Sequence, residues 1–423
     1  MGNEQIGSRS QELINLTEEY AAHNYAPLPV VLSEGLGAWV TDVEGQRYLD
    51  MLSAYSALNF GHRNPRFVEA AKRQLDRLTM TSRAFFSEEF ALFSKELAEF
   101  CKMEMVLVMN SGAEAVETAL KAARRWGYEK KKVEPDHAEI ICFNDNFAGR
   151  TITIVSFNTE EGNRSGFGPF TPGFKTVSYG DVTELKAAIN KNTVGILFEP
   201  IQGEGGILIP PYGFLKTIRD LCDEHNILMI ADEIQTGLCR TGKIFCCDHE
   251  GVQPDLMILG KSLGGGIFPV SAVIGSREVL SVFTPGSHGS TFGGNPLACH
   301  IARDVLRYII EEKPEDRAMY LGQKMLKALC SIADIPNSEN SCSDKGQKIK
   351  SKYIRGIRGR GLLIGVDIDP AFGSAKNFCK KLMHEGILSK DTRSQTIRFA
   401  PPITIEESDL DWAIEKVCKV FLS

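Results

Sequence analysis

At 423 residues the chain exceeds the roughly 250–300 residues at which a single hydrophobic core stops growing, so a large domain plus a smaller one is expected. Hydrophobic residues make up 43% and charged residues 24%, with a formal net charge of −6. That is an ordinary globular composition, without the basic face of a non-specific nucleic-acid binder, and no apolar run approaches the ~18–20 residues needed to span a bilayer.

The first ten residues, MGNEQIGSRS, have neither the apolar centre of a signal peptide nor the arginines of a transit peptide, and Ile6 breaks the myristoylation pattern. The expectation is a cytoplasmic protein, or a mitochondrial one if a leader preceded these residues. The 11 cysteines are scattered, with no C-x-x-C pair, which suits a reducing compartment better than a disulfide framework. Cys246, Cys247, Asp248 and His249 are too contiguous for a typical zinc site, so no metal is expected.

In the middle of the chain, short apolar runs at 105–109, 139–143, 194–198, 227–231 and 256–259 alternate with helical patterns such as 113–128 and 212–225. The runs are continuous rather than alternating in polarity, as in strands buried on both faces of a mainly parallel sheet. The expected architecture is α/β, with helices covering that sheet. Ligands gather at the carboxyl ends of such strands, and a chemically useful residue follows each run: Ser111-Gly112, Phe147, Glu199, Asp232 and Lys261. From about Pro296 the pattern changes. A helix over 297–312 precedes a polar stretch, 336–352, that reads as a surface loop; strand-like pieces at 361–368 and 396–399 and an amphipathic helix over 406–422 follow. The expected division is a segment 1–64 packing on the smaller domain, a large domain over 65–296, and a smaller α+β domain over 297–423.

Lys261 ends a buried run and precedes three glycines, three to five residues on. A lysine stripped of water has a lowered pKa and a nucleophilic amine, which Schiff-base chemistry needs. Taken alone, a lysine that snorkels to the surface is the commoner case. Asp232 changes the balance, because a carboxylate at a strand mouth can bond a pyridine nitrogen and keep it protonated. Asp232 could instead cap a helix, and neighbouring Glu233 could be the acid that matters. Ser111 and Glu114 match a capping box, and Gly112 at that helix start would let backbone N–H groups approach a phosphate. Ser290 and Thr291 lie in a Gly-rich loop whose hydroxyls suit phosphate oxygens, or which is plain surface. Gly260-Lys261-Ser262 imitates a P-loop, but Asp255 stands where that motif needs glycine.

Six strings carry a resemblance: SGAEAVETALK (111–121), NFAGRT (146–151), EPIQGE (199–204), DEIQTG (232–237), GKSLGGG (260–266) and GSTFGGNP (289–296). From about Tyr20 onward the chain resembles the class III, ornithine/GABA-type aminotransferases, pyridoxal-phosphate enzymes of fold type I. HNYAPLP (23–29), SAYSALN (53–59), TSRAF (81–85) and IRFAPP (397–402) are similar to the family's ornithine branch. The resemblance implies that Lys261 holds pyridoxal 5'-phosphate and Asp232 meets its ring nitrogen. Gln235 would bond the ring hydroxyl, Phe147 and Ile234 would flank the ring, and Ser111, Gly112 and Ala113 would hold the phosphate. Thr291, with Ser290 beside it, would reach the neighbouring subunit's cofactor, making a homodimer or larger assembly. Tyr25, Tyr55 and Arg150 would receive ornithine. Arg398 would bind the α-carboxylate of glutamate or 2-oxoglutarate and pair with Glu204 in between; a structural ion pair is the alternative. Ala148 departs from relatives that carry a larger residue there, so the pocket could be roomier. The expected reaction is a ping-pong transfer of the δ-amine of ornithine to 2-oxoglutarate, with N-acetylornithine or GABA as alternative amines. A decarboxylase or aminomutase on the same fold, or a protein that binds the cofactor without catalysis, are more distant readings.

Overall fold

A computed structural model describes residues 7–333 and 351–423; the first six residues and nearly all of the polar stretch expected at 336–352 lie outside them. Seven strands form the central sheet, in the spatial order Met105–Met109, Ser271–Gly275, Leu256–Leu259, Leu228–Asp232, Thr193–Phe198, Glu139–Phe143 and Phe174–Val177. Ser271–Gly275 runs antiparallel to both neighbours, and the remaining pairs are parallel. Thr193–Phe198, Leu228–Asp232, Leu256–Leu259 and Ser271–Gly275 are buried at every residue, which is why their sequences are apolar without alternation.

Helix Gly112–Trp126 lies on this sheet. Ser111 caps it: its Oγ accepts from the Glu114 N–H at 3.2 Å, and Glu114 Oε2 accepts from the Ser111 N–H at 2.8 Å. Its buried face is Ala115, Val116, Ala119, Leu120, Ala122 and Ala123, small enough for close approach to the strands. The helix ends two residues earlier than the pattern suggests and widens into a π turn, Gly127–Lys131. Helix Phe214–His225 starts later than its apolar pattern because Gly213 enters it with φ of +87°.

Two smaller sheets flank the site. Leu32–Leu36, Trp39–Asp42 and Arg47–Asp50 form one with Ile387–Leu388 from the other end of the chain. Ile354–Arg360, Leu363–Ile368, Thr396–Phe399 and Lys390–Thr392 form an antiparallel second. Ile354–Arg360, read IRGIRGR, has no apolar run and was not expected as a strand. Arg240, fully buried, ties the parts together. Its guanidinium donates to the Leu362 and Pro401 carbonyls at 2.9 and 2.6 Å and twice to Asn59 Oδ1, while Asn59 Nδ2 donates to Ser262 Oγ at 3.1 Å, next to Lys261. No described helix is long and apolar enough to cross a membrane.

Helix Pro314–Ile332 approaches the turn before Leu363–Ile368 so closely that a Cβ on Gly322 would lie 2.0 Å from the Gly361 carbonyl oxygen. Both partners are backbone, so neither can rotate away. Gly322→Ala is expected to cost about 1–3 kcal/mol, read as a lower urea midpoint; an unchanged midpoint would contradict this packing.

Candidate active site

Four strand ends and one helix start converge on a cavity with about 650 Å³ of empty space. Lys261, Asp232, Glu199 and Glu204 line it, together with Gly112, Ala113, Phe147, Ile234 and Gln235. Lys261 follows Leu256–Leu259 in a left-handed conformation (φ +47°), which turns its side chain back over the sheet edge. Burial pulls its amine down to about 8, against the raising influence of Glu204. Asp232, the last residue of its strand, is 5% exposed, and burial pushes its carboxyl up to about 7. Its Oδ1 accepts from the Ile234 N–H at 3.0 Å.

Glu233 faces the other way. Its carboxylate accepts from the Thr236 hydroxyl and, at 2.8 Å, from the Cys247 N–H. Successive residues at a strand end point to opposite faces, so only one of the two acids can reach the cavity, and it is Asp232.

Glu199, at the mouth of Thr193–Phe198, also lines the cavity. Its Oε1 accepts from the Phe147 N–H at 2.9 Å and so fixes the backbone under the Phe147 ring. Burial, and after it the charge of Asp232, push this carboxyl up to about 8. Sequence reasoning marked Glu199 only as the residue ending a buried run and gave it no role; its position beside a second strand-end acid was the available signal.

Arg398 on Thr396–Phe399 is 1% exposed. Its Nη1 meets Glu204 Oε1 at 2.6 Å. Burial opposes a charge on Glu204, but Arg398 outweighs it and holds the carboxyl below its ordinary range. Among the described residues, Nε and Nη2 of Arg398 have no hydrogen-bond partner. Gln235, with its amide oxygen turned inward, accepts from Arg398 Nη1 at 3.2 Å and from Lys261 Nζ at 3.1 Å. The Tyr55 ring lies 4.9 Å from the guanidinium carbon. Tyr55 is delivered by four successive left-handed residues, Ser53–Ser56, with φ between +46° and +72°. Such a turn of L-residues costs about 1–2 kcal/mol per residue. Asp50 anchors its start: Oδ1 accepts from the Leu52 and Ser53 N–H groups at 2.9 Å, and Oδ2 meets His62 Nε2 at 2.8 Å.

Ser111, Ser290, Thr291, Tyr25 and Arg150 do not line this cavity. Ser111 lines an adjoining hollow with Gly112 and Lys261. Ser290 Oγ accepts from Asn110 Nδ2 at 3.0 Å, whereas Thr291 is exposed and outside the cavity of its own chain. Tyr25, 76% exposed, shares a separate groove with Tyr55. Arg150 is exposed; its guanidinium lies 5.5 Å from the Phe147 ring centre and bonds Asn163. Ala148 is 9% exposed, lines the cavity next to Phe147 and packs against the core on its other side.

These groups fit pyridoxal phosphate. A desolvated amine can form a Schiff base, a buried acid can meet a ring nitrogen, and the apolar side chains of Phe147 and Ile234 both line the cavity and suit an aromatic ring. At the helix start a Cβ on Gly112 would come within 3.0 Å of Ile234 Cδ1, so glycine leaves that approach open to an anion beside the Gly112 and Ala113 N–H groups. Fold and site together define a fold-type I pyridoxal-phosphate enzyme.

Residues 20–421 match the family model Aminotransferase class-III, and the chain belongs to that family. It is 53% identical to the ornithine aminotransferase of Geobacillus sp. (strain WCH70), over 98% of this chain and 99% of that one. A structure of the ornithine aminotransferase from Toxoplasma gondii, with pyridoxal phosphate at partial occupancy in its active site, is 43% identical, with a TM-score of 0.93 over 98% of this chain and 94% of that one. An acetylornithine aminotransferase from Elizabethkingia anophelis is 41% identical, with a TM-score of 0.85 over 98% and 99%. Family members use pyridoxal phosphate to exchange amino groups between amino acids and 2-oxo acids, and so does this enzyme.

A buried acid with a raised pKa keeps a proton that the unfolded chain releases. Its stabilising contribution is complete below about pH 4 and is lost as pH rises through about 7. The cofactor-free Asp232→Asn protein should therefore gain on the unsubstituted one in thermal midpoint between about pH 5 and 7. A gap independent of pH would mean that Asp232 is not desolvated.

Proposed function

We propose that this enzyme moves the δ-amine of L-ornithine to 2-oxoglutarate, giving glutamate-5-semialdehyde and glutamate in two ping-pong half-reactions. The observation that carries this reading is the pairing of buried Arg398 with half-buried Glu204 at 2.6 Å, beside Lys261. The site must present the δ-amine of a diamino acid in one half-reaction and the α-carbon of a dicarboxylate in the other. An arginine that is masked for the first and free for the second satisfies both.

When bound, pyridoxal phosphate supplies an electrophilic carbon for the amine and a ring that accepts electron density. The chain does the rest. Lys261 Nζ would hold the cofactor, and as a free amine near pKa 8 it can move the proton at the substrate carbon as general base and acid at neutral pH. Asp232 holds the ring nitrogen's proton in place. Gln235 bonds the ring hydroxyl, Phe147 and Ile234 confine the ring, and Ser111, Gly112 and Ala113 hold the phosphate. Tyr25 and Arg150 take the α-amino and α-carboxylate groups of ornithine, with Tyr55 lining that pocket, so the δ-amine points inward. Ser290 and Thr291 serve the phosphate of a neighbouring subunit, so the active unit is a homodimer. Near-full-length likeness to a bacterial enzyme supports a cytoplasmic location.

The expected preference for ornithine over N-acetylornithine and GABA follows from Tyr25, since a phenol has a free α-amine to bond only in ornithine. Titrating the cofactor-loaded enzyme with each amine should bleach its visible absorbance fastest with ornithine; a GABA rate above that of ornithine would reject the assignment. Borohydride reduction followed by peptide mapping should place the cofactor on Lys261, and Lys261→Ala should lower turnover by roughly 10²–10⁴-fold.

A further inference from the structure

Glu204 belongs to a short loop whose backbone is closed on itself. Gln202 and Leu208 exchange two backbone hydrogen bonds of 3.0 Å, and the Ile207 N–H reaches the Gly203 carbonyl at 3.2 Å. The chain turns through Gly206 (φ +109°) and Ile207 (φ +56°). A β-branched residue in the left-handed region persists only where its surroundings over-determine it, and Ile207 is fully buried.

The surroundings that do so belong to the sheet carrying Arg398. Arg358, on strand Ile354–Arg360, donates Nε to the Gly206 and Ile207 carbonyls at 2.9 and 3.0 Å, and its Nη2 also reaches Gly206. Asp367, on the adjacent strand, grips the far side of that guanidinium through Nη1 and Nη2. Thr396, paired with Asp367 across the ladder, donates its hydroxyl to Asp367 at 2.6 Å. Thr392 donates its hydroxyl to the backbone carbonyl of Glu204 itself at 2.5 Å. Two strands therefore hold the loop from two sides, and a third supplies Arg398.

We propose that Arg358 and Thr392 are positioning residues of the carboxylate mask. They lock the backbone of residues 202–208 to the sheet that bears Arg398, so that Glu204 releases the arginine by side-chain rotation alone. The proposal rests on the reading that Glu204 masks Arg398. A locked backbone keeps the Glu204 carboxylate in place at little entropic cost and so favours the masked state. A dicarboxylate that needs Arg398 binds with its intrinsic affinity multiplied by the unmasked fraction. Loosening the lock should raise that fraction and make the dicarboxylate bind more tightly.

The test uses the cofactor-loaded, full-length enzyme and glutarate, a dicarboxylate with no amine or keto group to react. Its Kd is read by calorimetry in Thr392→Val, Arg358→Lys and Glu204→Gln, and in Thr392→Val combined with Glu204→Gln. Glu204→Gln should tighten glutarate most, and Thr392→Val and Arg358→Lys should each tighten it about fivefold. In the Glu204→Gln background, Thr392→Val should add nothing, because no mask remains to be positioned. If Glu204→Gln does not tighten glutarate, the masking reading itself is wrong. If it does, while Thr392→Val and Arg358→Lys leave the Kd unchanged, weaken it, or act equally in both backgrounds, the lock is refuted. A merely structural role for these residues would show as weaker binding in both backgrounds.

Discussion

A guanidinium shut away from water to 1% of its surface must be compensated, either by neutral acceptors on every side, as at Arg240, or by a counter-charge. Breaking a buried ion pair by removing one partner typically costs 3–5 kcal/mol. Arg398 obtains its counter-charge from Glu204 at 2.6 Å, and among the described residues two of its donor nitrogens have no partner. On the proposed reading, a substrate carboxylate would replace one anion by another, so the arginine would never be left uncompensated. The same burial gives the pair its leverage, because in a low-dielectric site a carboxylate bond to arginine is worth far more than at the surface.

That charge balance extends to the sheet edge. Lys261, Asp232 and Glu199 are all shifted toward their neutral forms, and in each the largest cause is burial. A protonated ring nitrogen placed against Asp232 would give that carboxylate the partner it lacks, so the cofactor and the acid stabilise each other's charge. Glu199 differs. It already accepts the Phe147 N–H, and the negative charge of Asp232 disfavours a second anion nearby. A site with two strand-end acids therefore holds one charge more easily than two.

Much of this could be read from the sequence where one physical rule dominated. Strands 105–109, 139–143 and 256–259 coincide with the observed elements because, Glu139 at an end apart, every residue in them is apolar and buried or half-buried. The strand-end rule then pointed to Asp232 and Lys261, and the structure puts both on one cavity. Strand Ile354–Arg360 escaped because its residues are held by ion pairs and carbonyl bonds rather than by an apolar face; Arg358, an unpromising surface residue by composition, proves to be engaged with the Glu204 loop. Phe174–Val177, read FKTV, and Ser271–Gly275, read SAVIG, hold too few consecutive large apolar residues to stand out. Glu199 was marked as a strand-end acid, but its role needed the pairing of its strand with that of Asp232, which only the assembled sheet supplies. The left-handed turn at Ser53–Ser56 contains no glycine and so gave no local sign of its conformation.

That turn also bears on how specificity can coexist with rigidity. Four consecutive L-residues with positive φ survive because Asp50 and His62 fix the entry and Tyr55 packs against Arg398 at the other side. The energy stored there is recovered only while Tyr55 keeps its place over the guanidinium. The two walls of the carboxylate site are thus built from strained but over-determined backbone, Ser53–Ser56 on one side and Gly206-Ile207 on the other. With both walls fixed, the proposed selection between a diamino acid and a dicarboxylate would fall to the side-chain torsions of Glu204, with the backbone around the cavity left in place.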